Sequence, residues 1–307
     1  MSLNASAKSQ EERLTAVVLV HGIWNRQRGL TPAEAALGLA SNARARLEHG
    51  LSVAGLFHVP VPDVSMAYYA HLLADDLAEE QAGDGRDGLH CLSRAQLAQV
   101  WEWLVAAGVP ELNEAQATYL MPVRQGLGWL VQHRLGDGLS SRVRQQLTER
   151  LSRLVVALVQ DMDAYASRPG RRRAVRESVA HVIRRERPRA VIGHSLGSVV
   201  AYETLHAFPD LEVELLVTLG SPLGLPAMMR RLEPEPRDGR GARPEGIRRW
   251  INIADSGDVV AIPPRLGDAF PVDVHETVDI GLLDPHTLGG YLANGALAAA
   301  IAPYLSS

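Results

Sequence analysis

Short runs that are apolar at nearly every position alternate along this chain with longer stretches in which apolar residues recur every three or four. Thr15–Val20 and Ala190–Ile192 are of the first kind. They have the length of strands, and their continuous apolarity fits strands buried on both faces of a parallel sheet. Val64–Tyr69 and Arg249–Ala254 also read as strands, and Val272–Val278 alternates as an edge strand does. Leu97, Val100, Trp101, Leu104 and Val105 are spaced i, i+3, i+4, i+7 and i+8, the signature of an amphipathic helix. Leu139, Val143, Leu147, Leu151, Leu154, Val155, Leu158 and Met162 mark a longer helix, with a shorter apolar piece, Gly126–Leu130, between the two. Ser198–His206 reads as a helix, and a terminal helix is expected from about Gly290 to Tyr304. Strands and helices interleaved in this way predict an α/β chain.

Composition narrows the setting. With 307 residues and 46% hydrophobic content the chain has material for one large α/β domain or two small ones. The net charge of −4 gives no sign of a polyanionic partner such as nucleic acid. A single cysteine, Cys91, excludes an internal disulfide. Met1–Arg13 is polar and lacks the apolar core of a signal peptide, so the Asn4-Ala5-Ser6 sequon carries no weight. The longest helical apolar stretch, Leu154–Val159, is far too short for a transmembrane segment. A soluble cytoplasmic protein is the expectation, with its oligomeric state open. No H-E-x-x-H, paired cysteines or clustered His–carboxylate spacing points to a metal, and no cofactor is expected.

The chemistry concentrates where the Ala190–Ile192 strand meets the Ser198–His206 helix. Gly193-His194-Ser195-Leu196-Gly197 fits G-x-S-x-G, in which a strand enters a helix through a turn tight enough to lift one Ser hydroxyl clear of the backbone. The flanking glycines are needed because a Cβ there would strike the neighbouring strand and helix. Ser195 is thus the candidate nucleophile. The first strand ends in His21-Gly22-Ile23-Trp24, where backbone N–H groups open at the carboxyl edge of the sheet. The N–H groups of Ile23 and Leu196 are candidates for an oxyanion hole, in which one donor is typically worth about 3 kcal/mol. After Arg249–Ala254 come Asp255 and Asp258, both candidates for an acid that would orient a catalytic histidine.

Val17–Gly22, Gly193–Gly197 and Thr218-Leu219-Gly220-Ser221-Pro222-Leu223 together resemble the α/β-hydrolase fold, in particular its lipase-like and PGAP1-like serine hydrolase branch. The resemblance covers about two-thirds of the sequence. It implies a mostly parallel central sheet flanked by helices over a single domain, residues 1–307, with residues 74–170 as a large helical insertion. Such an insertion would emerge at the edge of the sheet that carries the elbow, either capping the site or simply packing on the core.

In that fold the triad runs Ser, acid, His along the chain, which leaves His275 and His286 of the eleven histidines. Similar hydrolases carry the acid in an Asp-x-Val setting, which favours Asp258 and leaves Asp255 to brace the turn. They carry the base in a loop followed by a Tyr-Leu pair like Tyr291-Leu292, which favours His286 and leaves His275 as a polar strand position facing solvent. His21 and His194 would shape the oxyanion loop and the elbow.

The resemblance implies a metal-free serine hydrolase acting on a small-molecule or lipid-like acyl substrate. Esters are expected before amides, whose amine leaving group needs more help. A peptidase or amidase, an acyltransferase, and a pseudo-hydrolase serving as an interaction module are the alternatives.

Other patterns yield plainer readings. Gly83–Gly88 matches G-x-G-x-x-G but follows an acidic segment instead of a strand, and its aspartates would repel a pyrophosphate. Arg171-Arg172-Arg173 and Arg184-Arg185 alternate with Val175, Val179, Val182 and Ile183, so a solvated helix face is expected there. Pro234–Gly246, rich in Pro, Gly and Arg, reads as a mobile loop, and the resemblance to hydrolases that carry lids there makes it a second candidate for gating.

Overall fold

The computed structural model describes residues 17–73, 88–110, 120–135, 140–281 and 286–305. Strand β1 (Val17–Val20) is followed by α1 (Pro32–Val53), β2 (Val64–Ala67) and a single turn, α2 (Ala70–Leu73). Next come α3 (Arg94–Ala106), α4 (Leu120–Leu135), α5 (Ser141–Ala166) and α6 (Pro169–Glu186). Strand β3 (Ala190–His194) then runs straight into α7 (Leu196–Ala207). Strand β4 (Val213–Leu219), the short α8 (Pro226–Met229), β5 (Ile247–Asp255) and β6 (Val274–Val278) follow, before α9 (Leu288–Ala293) and α10 (Gly295–Ile301). Helix starts are written locally: Thr31 and Glu34 form a capping box ahead of α1, and Ser93 and Gln96 form another ahead of α3.

The six strands form one sheet in the order β2-β1-β3-β4-β5-β6, every pair parallel. The α/β class with a parallel central sheet flanked by helices is therefore what the chain adopts. Successive residues of a strand face opposite sides, and both sides are covered. Val18, Val20, Val191, Leu216 and Trp250 join one apolar cluster with α5, α6 and α7, whereas Leu19, Ile192, Val217 and Ile253 join another with α1, α9 and α10. The order reverses at β1, whose neighbours β2 and β3 lead the chain in opposite directions. The crevice beyond the carboxyl ends of β1 and β3 is the place where such sheets bind ligands.

Helices α3, α4 and α5 pack with the first cluster through Val100, Trp103, Leu104, Val123, Leu127, Val155 and Leu158. Their apolar faces are thus continuous with one layer of the core. No described helix is long and apolar enough to cross a membrane.

The structure differs from the sequence expectations in four places. The terminal helix is broken at Asn294, whose backbone turns extended and whose side chain accepts from the Ala296 N–H at 2.9 Å, so α9 stops and α10 starts there. Arg172 lies inside instead of on a solvated face, because Glu203 on α7 waits there to pair with it. His275 is half-buried in β6, its ring packed beside Gly267. The Pro234–Gly246 loop is pinned to the core by Tyr202 Oη donating to Ala242 O and by Gly241 N donating to Ala269 O.

Met1–Arg13, Thr15, Ala16, Gly83–Asp87, Leu139, Asp284 and Pro285 lie outside the described residues, as do further stretches of 74–170.

Candidate active site

Ser195 sits between β3 and α7 with φ 53° and ψ −131°, a backbone conformation that non-glycine residues rarely adopt. Its surroundings impose it. The Ser195 N–H donates to Leu219 O at 3.0 Å, and its carbonyl accepts from the Ser198 N–H at 2.9 Å and Ser198 Oγ at 2.6 Å. A Cβ on Gly193 would come within 2.6 Å of Ser198 Cα, and one on Gly197 would collide with the carbonyls of Val20 and His21. Close approach of α7 to the end of β1 is therefore possible only with glycine, and it brings the Leu196 and Ile23 backbones to the same edge of the sheet.

His286, in the loop before α9, faces the hydroxyl: His286 Nε2 lies 2.8 Å from Ser195 Oγ. The other ring nitrogen, Nδ1, lies 2.8 Å from Asp258 Oδ2 and 3.0 Å from Oδ1. Asp258 follows β5 and is fully buried. Tyr291 Oη donates to its Oδ2 at 2.7 Å, and the Val260 N–H donates to its Oδ1 at 2.8 Å. Burial by itself would raise the Asp258 carboxyl. The facing imidazole and the hydrogen bonds from His286, Tyr291 and Val260 outweigh it and hold the group below the usual carboxylate range. An ionised Asp258 keeps the proton on Nδ1 and leaves Nε2 free to accept one from Ser195.

Asp255 is differently employed. Its oxygens take the N–H groups of Gly257 and Ile280, both at 2.6 Å, and so tie the turn after β5 to the segment after β6. Burial pushes its carboxyl up in spite of those bonds. His275 lies on β6 with Nδ1 3.5 Å from Asn252 Nδ2, and it has no contact with Ser195 or Asp258 among the described residues.

Two further histidines line the site and are uncharged. Burial lowers His194 to about 3, helped by the adjacent His286. Its Nε2 donates to the His286 carbonyl at 3.1 Å, which anchors the loop that carries His286. Burial lowers His21 to about 4. Among the described residues, neither the Ile23 nor the Leu196 N–H donates to a protein acceptor.

Sequence reasoning missed the Asp258 contact of Tyr291, as well as Tyr69 and Asn25, which hold the loop after β1. The spacing of Tyr291 from His286 was visible, but its hydroxyl faces Asp258 only because the tertiary fold brings the Tyr291 side chain to the end of β5. Tyr69 lies just after β2 and Asn25 follows His21-Gly22-Ile23-Trp24, and neither position forms a motif by itself.

No family model matches this chain, and no curated protein does. Among solved structures it is similar to the esterase domain of a Rhodothermus marinus protein, at 17% identity over 42% of this chain and 67% of that one, with a TM-score of 0.28. A likeness this slight bears on neither activity nor substrate.

Proposed function

We propose that the protein is a serine hydrolase of the α/β-hydrolase kind that cleaves acyl esters. The observation that carries this reading is the continuous hydrogen-bonded line from Ser195 Oγ through both nitrogens of His286 to Asp258, each link 2.8 Å. In this scheme Ser195 Oγ attacks the acyl carbonyl as His286 Nε2 takes its proton. The negative charge that develops on the carbonyl oxygen is received by the Ile23 and Leu196 N–H groups. His286 returns the proton to the departing alkoxide, leaving an acyl-enzyme on Ser195. Water, deprotonated by the same Nε2, then attacks the acyl carbon, and the carboxylic acid leaves as Ser195 recovers its proton.

An apolar substrate portion draws some support from a small crevice between α3, α5 and α8, which Ser195, His286 and Asp258 do not themselves line. Trp103, Leu158, Met162, Leu225 and Ala227 line it, and Trp103 Nε1 donates to Val259 O, next to Asp258. Small-molecule or lipid-like acyl esters suit such walls. On this reading residues 74–170 form a helical insertion within a single domain and supply one wall of the crevice.

The test is an activated-serine probe. Wild type and Ser195→Ala are treated with a fluorophosphonate and weighed intact, alongside an ester panel of rising chain length. One adduct and ester turnover on wild type, with neither on the variant, is the expected result. Folded wild type that takes no adduct and turns over no ester sinks the proposal.

A further inference from the structure

The peptide unit joining Gly22 to Ile23 is held unusually firmly. A peptide is planar and trans, so its carbonyl and its N–H point in opposite directions. The Gly22 carbonyl meets two side chains, His21 Nδ1 at 2.8 Å and Asn25 Nδ2 at 3.1 Å. His21 is in the right tautomer to donate. The Tyr69 N–H reaches its Nε2 at 3.1 Å, so Nε2 must accept and Nδ1 must carry the proton. Burial keeps the ring neutral, lowered to about 4. Tyr69 also stacks on the imidazole, centroids 4.2 Å apart, and donates its hydroxyl to His21 O at 2.8 Å.

Asn25 makes a second bond, Nδ2 to Ile23 O at 2.8 Å. Only the amide nitrogen can face two carbonyl oxygens, so the orientation of this side chain is settled by chemistry. After the two carbonyls, and before Asn25, the chain passes through Trp24 at φ 60°, a conformation rare for tryptophan. The Asn25 side chain thus reaches back across that residue to both carbonyls that precede it. Gly22 itself lies against the nucleophile, since a Cβ there would come within 2.6 Å of Ser195 Cβ.

We infer that Asn25 and His21 are positioning residues that aim the Ile23 N–H at the substrate oxyanion by gripping the carbonyl at the far end of the same peptide unit. The inference rests on the reading of Ser195 as the acylated nucleophile. It adds the side chains that keep one oxyanion donor fixed before charge develops. Donation to the Gly22 carbonyl also polarises the amide and strengthens its N–H as a donor.

Asn25→Ala and Asn25→Asp separate this role from a structural one, because Asn25 sits on a loop and neither change opens the core. Three quantities are read on a short p-nitrophenyl ester: kcat, KM, and the inhibition constant of a trifluoromethyl ketone, which forms a tetrahedral oxyanion on the serine. Loss of a positioning bond costs less than loss of the donor itself. In Asn25→Ala kcat therefore falls about tenfold, the ketone weakens by the same factor and KM stays within about twofold. Asn25→Asp, which turns a carboxylate on two carbonyl oxygens, loses at least as much. Circular dichroism and thermal midpoints confirm that both variants are folded.

Unchanged kcat and ketone affinity in Asn25→Ala overturn the inference while leaving the hydrolase reading intact. So does a loss that appears in KM and thermal midpoint and spares the ketone. A wild type that neither turns over ester nor takes a fluorophosphonate on Ser195 overturns both.

Discussion

The floor and the roof of the candidate site are built on different principles. The floor consists of the ends of β1, β3, β4 and β5, and its geometry is over-determined. Gly193 and Gly197 admit no Cβ, both backbone groups of Ser195 are bonded, and Asp258 is met by His286, Tyr291 and Val260. The roof is made by α3 and α8, and polar cross-links at its rim join its two parts to each other and to α5. Arg230 pairs with Glu102 at 2.7 and 2.6 Å, Gln96 reaches Asp163 at 2.8 Å, and Arg231 pairs with Asp163. Ser195 is fully buried, so on the proposed reading part of its cover must move before a substrate reaches it. The floor is the side built to stay still, because a misplacement of about 1 Å there can cost two orders of magnitude in rate. An exposed ion pair such as Arg230–Glu102 is worth at most about 1 kcal/mol and can open at little cost.

Breaking the chemistry of the floor has the largest effect. Asp258→Asn preserves its shape but no longer holds the proton on His286 Nδ1, and kcat is expected to fall about 10⁴-fold with the fold retained. Steady-state kinetics beside a circular dichroism spectrum check this. A loss below tenfold removes Asp258 from the role.

Acid probes the floor through its neutral histidines. In the unfolded chain a histidine gains its proton near pH 6.5, whereas His21 and His194 do so only at about 4 and about 3. Between those values the unfolded state binds more protons, so stability falls as pH drops from 6.5 towards 4. His21 alone accounts for about 3 kcal/mol across that window. Asp161, pushed up to about 6 by burial, works the other way and offsets roughly one histidine. With a second histidine, His194, left uncompensated, stability still falls, read as a falling urea midpoint, and Asp161→Asn steepens the fall. A midpoint that is flat or rises towards pH 4.5 contradicts this account.

The smallest effect is expected at the roof. Arg230→Ala should lower stability by at most about 1 kcal/mol, and fluorophosphonate labelling of Ser195 should speed up by at most about fivefold. Slower labelling, or a large loss of stability, means that this edge of the roof is as firmly built as the floor.

Particular elements show what could be read in advance. β1 and β3 are apolar at every position but the last two of β3, so their burial on both faces of a parallel sheet was legible from a few residues each. α3 and α5 carried their period openly, and α3 also carried its capping box, Ser93 and Gln96. The break at Asn294 was not legible, because a run rich in Ala and Leu outweighs one asparagine in any count of propensities. Arg172 was misread for a related reason. Arg173 beside it on α6 is exposed, and it is partners from elsewhere in the chain, Glu203 on α7 above all, that make a buried arginine affordable. At the site, the G-x-S-x-G turn around Ser195 could be found by inspection, but the choice between Asp255 and Asp258, or His275 and His286, leaned on resemblance and chain order. In the structure, Asp258 and His286 meet at Ser195.

By itself the sequence determined the local matters: which runs are strands, where helices are capped, and that glycine must flank Ser195. These follow from sterics and periodicity within a few residues. Only the tertiary structure decided which acid meets which histidine, that Tyr291 completes the surroundings of Asp258, and that His21 and Asn25 share one carbonyl. Those partners lie on separate loops, His286 91 residues beyond Ser195 and 28 beyond Asp258. A hydrogen bond depends on direction and on tenths of an ångström, and only the packed sheet and its helices set these.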